Sequence, residues 1–339
     1  MPSNKSENQK VRDLVVGATS GIGRNIIPKL LAMGHEVRAV IRKHPGIDSD
    51  WKNLPKTTIP YVSDITLENG SDEAVLKEAC REVDNIFHLA GGGYNTNNTF
   101  DRLVKVNVEG TENILNAYIS VNGPDRPVHF IYGGSNTVYG YKRKGEVLTE
   151  ESTTKPASPY SESKYMAEQV IKVFNEVNKG VKYTIMRMGT LYGVDYTPSF
   201  FKLFRLIEQG KAAYIGNGSN HLTLVHEDDA TDAMMLAMLN PSSYNQIYNV
   251  TDGVNYTVRQ LFELVANTLG VPPPKRHIPY LLAKVTKNAV NINYDELEFL
   301  ASDRVVSIDK ARKELGYVPN KKIETEGVRL VKLYRESKV

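Results

Sequence analysis

The sequence predicts an α/β protein: a Rossmann-type, doubly wound parallel sheet followed by a smaller, mostly helical C-terminal lobe. Two observations carry this prediction. Residues 13–16 form a short apolar strand that runs into a glycine-rich turn and an amphipathic helix, and apolar strands then alternate with helices as far as about residue 190. Alternation of this kind builds a parallel sheet with helices on both faces. Ligands of such sheets bind at the carboxyl ends of the strands, where we expect the functional site.

The glycine-rich turn is the first candidate binding site. It runs from residue 17 to residue 23, and apolar residues at helical spacing follow it up to Gly34. Glycines allow the backbone to turn sharply and to approach a pyrophosphate, whose charge is met by the amides at the helix N-terminus. The predicted cofactor-binding residues of this turn are Gly17, Thr19, Ser20, Gly21, Ile22 and Gly23.

The second strand, residues 36–41, indicates which dinucleotide binds. A site for NAD would show an acidic residue about twenty residues after the glycines, where it bonds the ribose 2′-hydroxyl. This chain has Arg42 and Lys43 there. A guanidinium suits a 2′-phosphate, so the sequence favours NADP, with NAD possible. The alternative is that Arg42 and Lys43 are only a solvated basic strand end.

The next two strands supply further cofactor contacts. Residues 61–65 predict a third strand that ends in a polar turn, where Asp64 and Ile65 lie beside the expected adenine site. Residues 83–90 predict a buried fourth strand that runs into three glycines. Because glycine has no side chain, the backbone at such a point can lie against a flat cofactor ring. Leu89, Ala90 and Gly91 are therefore predicted to line the cofactor.

We place the chemistry at Tyr160 and Lys164. The apolar spacing of residues 166–177 predicts a helix, and residues four apart share one helical face. A neighbouring ammonium stabilises an ionised phenol, so we expect the Tyr160 pKa to fall toward the range useful for proton transfer. Ser135, at the end of the strand over 128–132, would hold the reacting oxygen. This combination suits interconversion of a carbonyl and an alcohol.

The tyrosine–lysine spacing by itself decides little. It recurs at three other places in the chain, Tyr280/Lys284, Tyr317/Lys321 and Tyr334/Lys338. The Tyr160 pair differs because a helix follows it, a serine precedes it by one strand and loop, and a nucleotide-type turn lies near the chain start.

We predict the following division of the chain. Residues 1–10 form a disordered tail, and residues 11–190 form the dinucleotide-binding domain, completed by about 222–251. Residues 191–221 and 252–339 form the substrate-binding lobe.

The composition limits the possible partners. There are 42 basic and 39 acidic side chains, a net charge of +3 without a basic block, so nucleic acid is not expected. The single cysteine, Cys80, and the histidine inside a strand, His88, are interpreted as core residues, and no metal-ligand cluster is found. The absence of an apolar leader or a membrane-length run predicts a cytoplasmic enzyme with a small-molecule substrate.

Taken together, these residues resemble the extended branch of the short-chain dehydrogenase/reductase superfamily, over nearly the whole chain. The likeness in motifs is strongest to dihydroflavonol-reductase-like and 3β-hydroxysteroid-dehydrogenase-like members. The landmarks are Gly17 to Gly23, Asp64-Ile65, Leu89-Ala90, Asn107 within 106–111, Ser135 within 135–140, Tyr160 with Lys164, Arg187 with Tyr192-Gly193, and His226 within 226–229.

The resemblance implies roles for the matching residues. Tyr160 would be the proton donor or acceptor, Lys164 would bind the nicotinamide ribose and lower the phenol pKa, and Ser135 would hold the substrate oxygen. Asn107 matches a motif asparagine and is a candidate catalytic residue, with a helix cap as the alternative role. The resemblance also implies a homodimer formed through the helices that begin near Asn107 and Tyr160.

Three departures from the family pattern bear on cofactor and substrate. Ser20 takes the place of the usual middle glycine, which affects only the turn geometry. Thr190 and Leu222 stand where nucleotide-sugar enzymes carry an asparagine and a diphosphate-binding arginine. We therefore expect UDP and dTDP sugars to bind weakly. The aromatic residues that follow would wall an apolar pocket or pack in the core; they are Tyr192, Tyr196, Phe200, Phe201 and Phe204.

Three functions are consistent with these observations. The first is an NADP-dependent reductase or dehydrogenase that interconverts a secondary alcohol and a ketone on a fairly apolar substrate. The second is a nucleotide-sugar epimerase or dehydratase, which uses the same Tyr160 and Lys164 but returns the hydride to its substrate. The third is a redox-sensing regulator that binds the cofactor without catalysis, against which the intact Ser135, Tyr160 and Lys164 argue.

Overall fold

A computed structural model of the protein describes residues 10–44, 51–93, 99–286 and 294–338. The predicted disordered tail, residues 1–10, lies outside these ranges except for Lys10. None of the helices in the described ranges combines the length and the apolar character needed to cross a membrane.

A parallel sheet of seven strands forms the centre of the fold. In spatial order the strands are β11 (Gln246–Val250), β7 (Val181–Met188), β5 (Val128–Ser135), β4 (Asn85–His88), β1 (Arg12–Val16), β2 (Glu36–Ile41) and β3 (Ile59–Val62). The chain order reverses between β1 and β4, which opens a crevice at the carboxyl ends of these two strands. The predicted doubly wound parallel sheet is confirmed.

Helices cover both faces of this sheet. They are α1 (Gly21–Ala32), α2 (Asp72–Ala79), α3 (Phe100–Val104), α4 (Gly110–Asn122), α5 (Pro159–Val177) and α7 (Glu227–Leu239). The helix between α5 and α7, α6 (Thr197–Glu208), belongs to the second lobe instead. Alternate residues of β1 serve the two faces, because successive strand side chains point in opposite directions. Val15 packs with α1 and α7, whereas Leu14 and Val16 pack with α2, α4 and α5.

Two of the element boundaries that differ from the prediction have a local cause. Strand β3 ends at Val62, because the Asp64 carboxylate accepts hydrogen bonds from the Thr66 amide and hydroxyl, both at 2.9 Å, and folds the chain into a turn. The helix expected to begin near Asn107 is already helical from Phe100, where the Thr99 side chain caps it. It passes through a π-turn at Lys105–Glu109 before it continues as α4.

The remaining elements form three small sheets and five helices in the described ranges. The strands are β6 (Lys142–Leu148), β8 (Thr190–Tyr192), β9 (Ala213–Ile215), β10 (His221–His226), β12 (Asn255–Thr257), β13 (Arg276–Ile278) and β14 (Asp303–Val306), and the helices are α8 (Val258–Leu269), α9 (Tyr280–Thr286), α10 (Tyr294–Ala301), α11 (Asp309–Leu315) and α12 (Ile323–Glu336). Strand β10 pairs with β8 and β12 rather than with the main sheet, whereas β11 is an edge strand of the main sheet.

The second lobe has a hydrophobic core of its own. Helices α6, α8 and α12 meet there. Tyr192, Phe200 and Phe204 lie buried in this core, and Leu222 packs with them. Of the two roles left open for these three aromatic residues, core packing is therefore the one that the fold supports.

Candidate functional site

The carboxyl ends of the central strands bring the predicted site residues together. A methyl group built on Gly91, just after β4, would lie 3.0 Å from Asn107 Oδ1 and 3.7 Å from Lys164 Nζ. Lys164 in turn reaches β5, where its Nζ donates to the Gly133 carbonyl at 2.7 Å. Three segments that are distant in the sequence thus converge on one small volume beside Tyr160.

Local sequence fixes the start of the helix that carries Tyr160. The Ser158 hydroxyl accepts from the Ser161 amide at 3.2 Å, and the Ser161 hydroxyl accepts from the Ser158 amide at 2.9 Å. This reciprocal capping, with Pro159 in the first turn, defines the first residue of α5. Tyr160 therefore lies in the first turn, partly exposed, with Lys164 one turn further on the same face.

Lys164 is nearly removed from solvent. Only 6% of its surface is exposed, and its Nζ lies 4.4 Å from the centre of the Tyr132 ring. Burial lowers the pKa of Lys164 to about 8, and the carboxylate of Glu168 opposes that shift. A lysine so placed is a cation with restricted motion that titrates close to neutral pH.

Ser135 is held at the end of β5 by the turn that follows it. Its Oγ accepts from the Thr137 amide at 3.3 Å and lies 2.9 Å from the Thr137 hydroxyl. The next residue, Asn136, donates to Thr223 Oγ1 at 2.6 Å and ties this turn to β10. The hydroxyl of Ser135 is therefore oriented by both the main sheet and the second lobe.

Asn107 does not cap a helix, so that alternative is wrong. It is buried in the π-turn, where its Oδ1 accepts from the Gly92 amide at 2.7 Å and its Nδ2 donates to the Gly92 carbonyl at 3.3 Å. The same Nδ2 donates to Ser163 Oγ at 2.9 Å, and Ser163 donates to the Tyr160 carbonyl at 2.8 Å. Asn107 thus joins the loop after β4 to the helix of Tyr160, a link that runs through Ser163, which the sequence analysis missed.

The glycine-rich turn is shaped to receive a pyrophosphate. Gly17 has φ +89°, and a methyl group on it would lie 2.5 Å from the Ala90 amide nitrogen. A methyl group on Gly23 would lie 2.5 Å from the Gly17 carbonyl oxygen. Ser20 caps α1, accepting from the Gly23 amide at 3.1 Å and donating to the Gly17 carbonyl at 2.8 Å. The serine in place of the middle glycine therefore stabilises the start of the helix, and the bare backbone and helix N-terminus fit a dinucleotide.

The other predicted cofactor residues border the same turn. Strand β2 ends beside it, since the Gly17 amide donates to the Val40 carbonyl at 3.3 Å, and Arg42 and Lys43 follow exposed to solvent. Ile65 is buried, and a methyl group on Gly110 would lie 2.7 Å from its Cδ1, so its side chain packs under α4. Leu89 and Ala90 lie partly buried after β4, both bonded to the Val16 carbonyl through their amides.

A buried ion pair behind the site was missed by the sequence analysis. Arg187 on β7 and Glu168 on α5 are 2% and 0% exposed, and they form two hydrogen bonds of 3.1 and 2.7 Å. Tyr139 shares the guanidinium at 3.0 Å. Glu168 lies one helical turn beyond Lys164, and this spacing on an otherwise apolar face was the available signal.

Two residues interpreted as core residues are confirmed. His88 is fully buried with its Nε2 at 2.8 Å from the Thr111 hydroxyl, and burial lowers its pKa to about 3. Cys80 is also fully buried, and burial raises the pKa of its thiol to about 12. At neutral pH the imidazole is therefore uncharged and the thiol protonated, as expected for core residues.

The fold and the site define an enzyme of the extended short-chain dehydrogenase/reductase type that depends on a nicotinamide dinucleotide. Residues 14–251 match the NAD dependent epimerase/dehydratase family, and the chain belongs to that family.

Individual relatives cover several activities. The chain is 24% identical to N-acetyl-alpha-D-glucosaminyl-diphospho-ditrans,octacis-undecaprenol 4-epimerase of Escherichia coli O157:H7 over 79% of this chain and 76% of that protein. It is 29% identical to the 3-beta-hydroxysteroid dehydrogenase of Mycolicibacterium neoaurum over 91% of this chain and 87% of that protein. The fold superposes on UDP-glucuronic acid 4-epimerase from Bacillus cereus, solved in complex with NAD, with a TM-score of 0.74, at 20% identity over 96% and 100% of the two chains.

Proposed function

We propose that the protein interconverts a secondary alcohol and a ketone on a sugar carried by a diphosphate, in the manner of an epimerase or dehydratase. The convergence of Gly91, Asn107 and Lys164 beside Tyr160 carries the proposal, because it provides a backbone seat for a cofactor ring next to a proton-transfer group. The bound dinucleotide, NAD or NADP, would accept the hydride and return it.

Each site residue then has one task. The Tyr160 hydroxyl takes the proton of the substrate alcohol and gives it back to the ketone oxygen. Lys164, whose Nζ donates to the Gly133 carbonyl, would hold the nicotinamide ribose and lower the pKa of the Tyr160 phenol. Ser135 donates to the substrate oxygen, which requires its hydroxyl to turn from Thr137. Asn107 holds the backbone at Gly92 in place beneath the cofactor.

A sugar diphosphate is preferred here over the apolar substrate that the sequence favours. The curated relatives include several sugar epimerases, and three of the aromatic residues expected to wall an apolar pocket lie in the core. The cation that we propose for the diphosphate is Arg304 on β14. It is 1% exposed, and its guanidinium carbon lies 5.2 Å from the centre of the Tyr141 ring. The Tyr141 hydroxyl is 3.2 Å from Ser158 Oγ, so the Tyr141 side chain alone separates the Arg304 guanidinium from the start of helix α5.

Net oxidation or reduction of an apolar alcohol is the second candidate. The similarity to a 3-beta-hydroxysteroid dehydrogenase favours it, as do Thr190 and Leu222 in place of two sugar-nucleotide contacts. Leu222 is fully buried in the core of the second lobe, so its position provides no charge for a diphosphate.

Product analysis separates the two candidates. The protein is incubated with UDP-glucose, dTDP-glucose or a polyprenyl-diphosphate N-acetylhexosamine and catalytic dinucleotide, and sugar products are followed by proton NMR. We expect a 4-epimer or a 4-keto sugar without net change in nicotinamide absorbance. Arg304→Met should raise KM for that sugar, whereas Arg276→Met, at an exposed position on β13, should not. Turnover of hydroxysteroids with net formation of NAD(P)H, and of no sugar, would favour the second candidate.

We also propose that the protein is a homodimer that associates through α4 and α5. An apolar groove between these helices is lined by Glu112, Gln169, Val170, Val173, Phe174, Val177 and Asn178. Val173 and Val177 are 58% and 76% exposed, which favours burial against a second copy. The double variant Val173→Glu/Val177→Glu should sediment as a monomer, and Val328→Glu, on the exposed face of α12, should not. A wild-type protein that is monomeric at every concentration tested would contradict the proposal.

A further inference from the structure

The turn after β8 lies directly on the N-terminus of α1. A methyl group built on Gly21 would lie 2.6 Å from Tyr196 Cε2, 2.8 Å from Asp195 Cβ and 2.8 Å from Glu227 Oε2. Arg24 on α1 forms an ion pair of 2.6 Å with Asp195. The Tyr196 ring lies against this helical turn, and burial raises the pKa of its phenol. Two carboxylates and a phenol therefore occupy the surroundings of the first helical turn.

Glu227 is the residue that holds this turn. It is the first residue of α7 and 4% exposed, and its carboxylate accepts from the Val194 amide at 2.8 Å and the Asp195 amide at 3.3 Å. Gly193, with φ +147°, allows this approach, since a methyl group on it would lie 2.3 Å from Glu227 Cδ. Burial raises the pKa of Glu227, and the negative charges of Asp195 and Asp228 raise it further.

The same helix N-terminus is the expected seat of the cofactor pyrophosphate. We propose that Glu227 and the pyrophosphate share this helix N-terminus, so that the dinucleotide binds together with one proton. The inference rests on the proposed cofactor site. A diphosphate brought beside a buried carboxylate disfavours the ionised form of that carboxylate. A dinucleotide that raises the proton affinity of Glu227 when it binds must, by thermodynamic linkage, bind more tightly as the pH falls.

The groups that face Glu227 do not cancel the repulsion between its carboxylate and an added diphosphate. The turn contributes Asp195 and Tyr196, α7 and its cap contribute Asp228 and His226, and α1 contributes the cation Arg24, which Asp195 already engages. The Asp228 carboxylate is engaged by Asn25 of α1 at 3.1 Å. Lys321 lies 3.5 Å from Asp228 and 3.5 Å from Glu326, so both cations, Arg24 and Lys321, already have carboxylate partners. We therefore expect the proton taken up on binding to go to Glu227.

The test measures dinucleotide affinity against pH by fluorescence titration with NADH and NADPH. For the wild type we expect the dissociation constant to rise with pH, by up to about tenfold per unit across the titration of Glu227. Glu227→Gln keeps the size of the side chain and a hydrogen-bond acceptor but loses the charge. The variant should therefore bind the dinucleotide about 3- to 30-fold more tightly than the wild type at pH 8, and it should lose the pH dependence that Glu227 causes. Asp232→Asn, on the exposed side of α7, is the matched control and should behave as wild type.

A second measurement needs no variant. Calorimetric titration of the wild type in two buffers of different ionisation enthalpy counts the protons taken up, and we expect up to one proton per dinucleotide below neutral pH. Because burial lowers the pKa of Lys164 to about 8, Lys164 can also exchange protons when the dinucleotide binds. The difference in proton uptake between the wild type and Glu227→Gln isolates the contribution of Glu227. No proton uptake, or equal affinities of the two proteins at every pH, would overturn the inference while leaving the cofactor site intact. Failure of the wild type to bind either dinucleotide would instead refute the proposed function.

Discussion

Asn107 and Gly92 exchange two hydrogen bonds, 2.7 Å from the Gly92 amide to Asn107 Oδ1 and 3.3 Å from Asn107 Nδ2 to the Gly92 carbonyl. An asparagine that pairs with both polar groups of one residue acts like a short piece of neighbouring strand. The π-turn places Asn107 so that the same side chain also reaches Ser163 on the helix of Tyr160. Gly92, shortly after β4, is therefore linked to the helix that carries Tyr160.

We expect Asn107→Ala to loosen this loop. The Gly92 amide loses its acceptor, and the buried Ser163 hydroxyl loses its donor, which costs about 1–3 kcal/mol. The free energy of unfolding in urea should fall by that amount, and binding of NADH should weaken. Asn116→Ala, at an exposed position on α4, provides the control. Unchanged stability and unchanged cofactor affinity would show that the two hydrogen bonds are not formed in solution.

Tyr160→Phe should retain dinucleotide binding while losing turnover. Removal of a positioned proton donor lowers the rate by roughly two to four orders of magnitude. Tyr165→Phe, five residues further along the same helix, removes a hydroxyl without touching the proposed proton transfer and should keep near wild-type rates. Stopped-flow kinetics measure the turnover of the two variants, and titration measures their dinucleotide affinity. Full activity of Tyr160→Phe would refute the assignment of Tyr160 as the proton-transfer group.

Activity should fall on the alkaline side of neutrality. Burial lowers the pKa of Lys164 to about 8, so the ammonium form is lost as the pH rises through that value. We expect kcat/KM to decline above about pH 8, by up to tenfold per pH unit. In Lys164→Arg the residual activity should lack this decline, since a guanidinium stays charged. A wild-type profile that is flat from pH 7 to 10 would contradict the role of the ammonium.

The Glu168–Arg187 pair should show strong energetic coupling. Arg187→Met leaves the Glu168 carboxylate buried without its cation, which costs about 3–5 kcal/mol. The double variant Glu168→Leu/Arg187→Met removes both charges and should recover most of that loss. Urea denaturation of the four proteins in the cycle measures the coupling. Additive effects of the two substitutions would show that the pair contributes nothing beyond its members.

Arg42 should set a preference for NADPH over NADH. Charge-assisted hydrogen bonds to a 2′-phosphate are worth about 1–3 kcal/mol, and Arg42 is exposed beside the glycine-rich turn. Calorimetric titration of both cofactors against wild type and Arg42→Ala should show the preference disappear in the variant. Lys52→Ala, at another exposed basic residue, controls for net charge. Equal affinities in the wild type would remove the basis for NADP and leave NAD as the cofactor.

Sequence patterns were sufficient for the elements whose signals are local. The alternation of strands and helices, the glycine-rich turn and the spacing of Tyr160 and Lys164 all depend on residues within one turn or one strand of each other. Such patterns reflect backbone preferences and the burial of one face, which act over short separations. The fold was accordingly predicted from the sequence, and the roles of Tyr160 and Lys164 stay predictions.

Only the tertiary structure decided how distant segments use their polar groups. Asn107 was open to a helix-cap role because its partner, Gly92, precedes it by fifteen residues and lies across a loop. The ion pair of Glu168 with Arg187 and the approach of Glu227 to Gly21 likewise join different elements. Core packing of Phe200 and Phe204 was undecided because an aromatic run is compatible with both a pocket and a core. The partner of a polar or aromatic side chain is set by which elements the completed fold places next to it, and no local pattern encodes that choice.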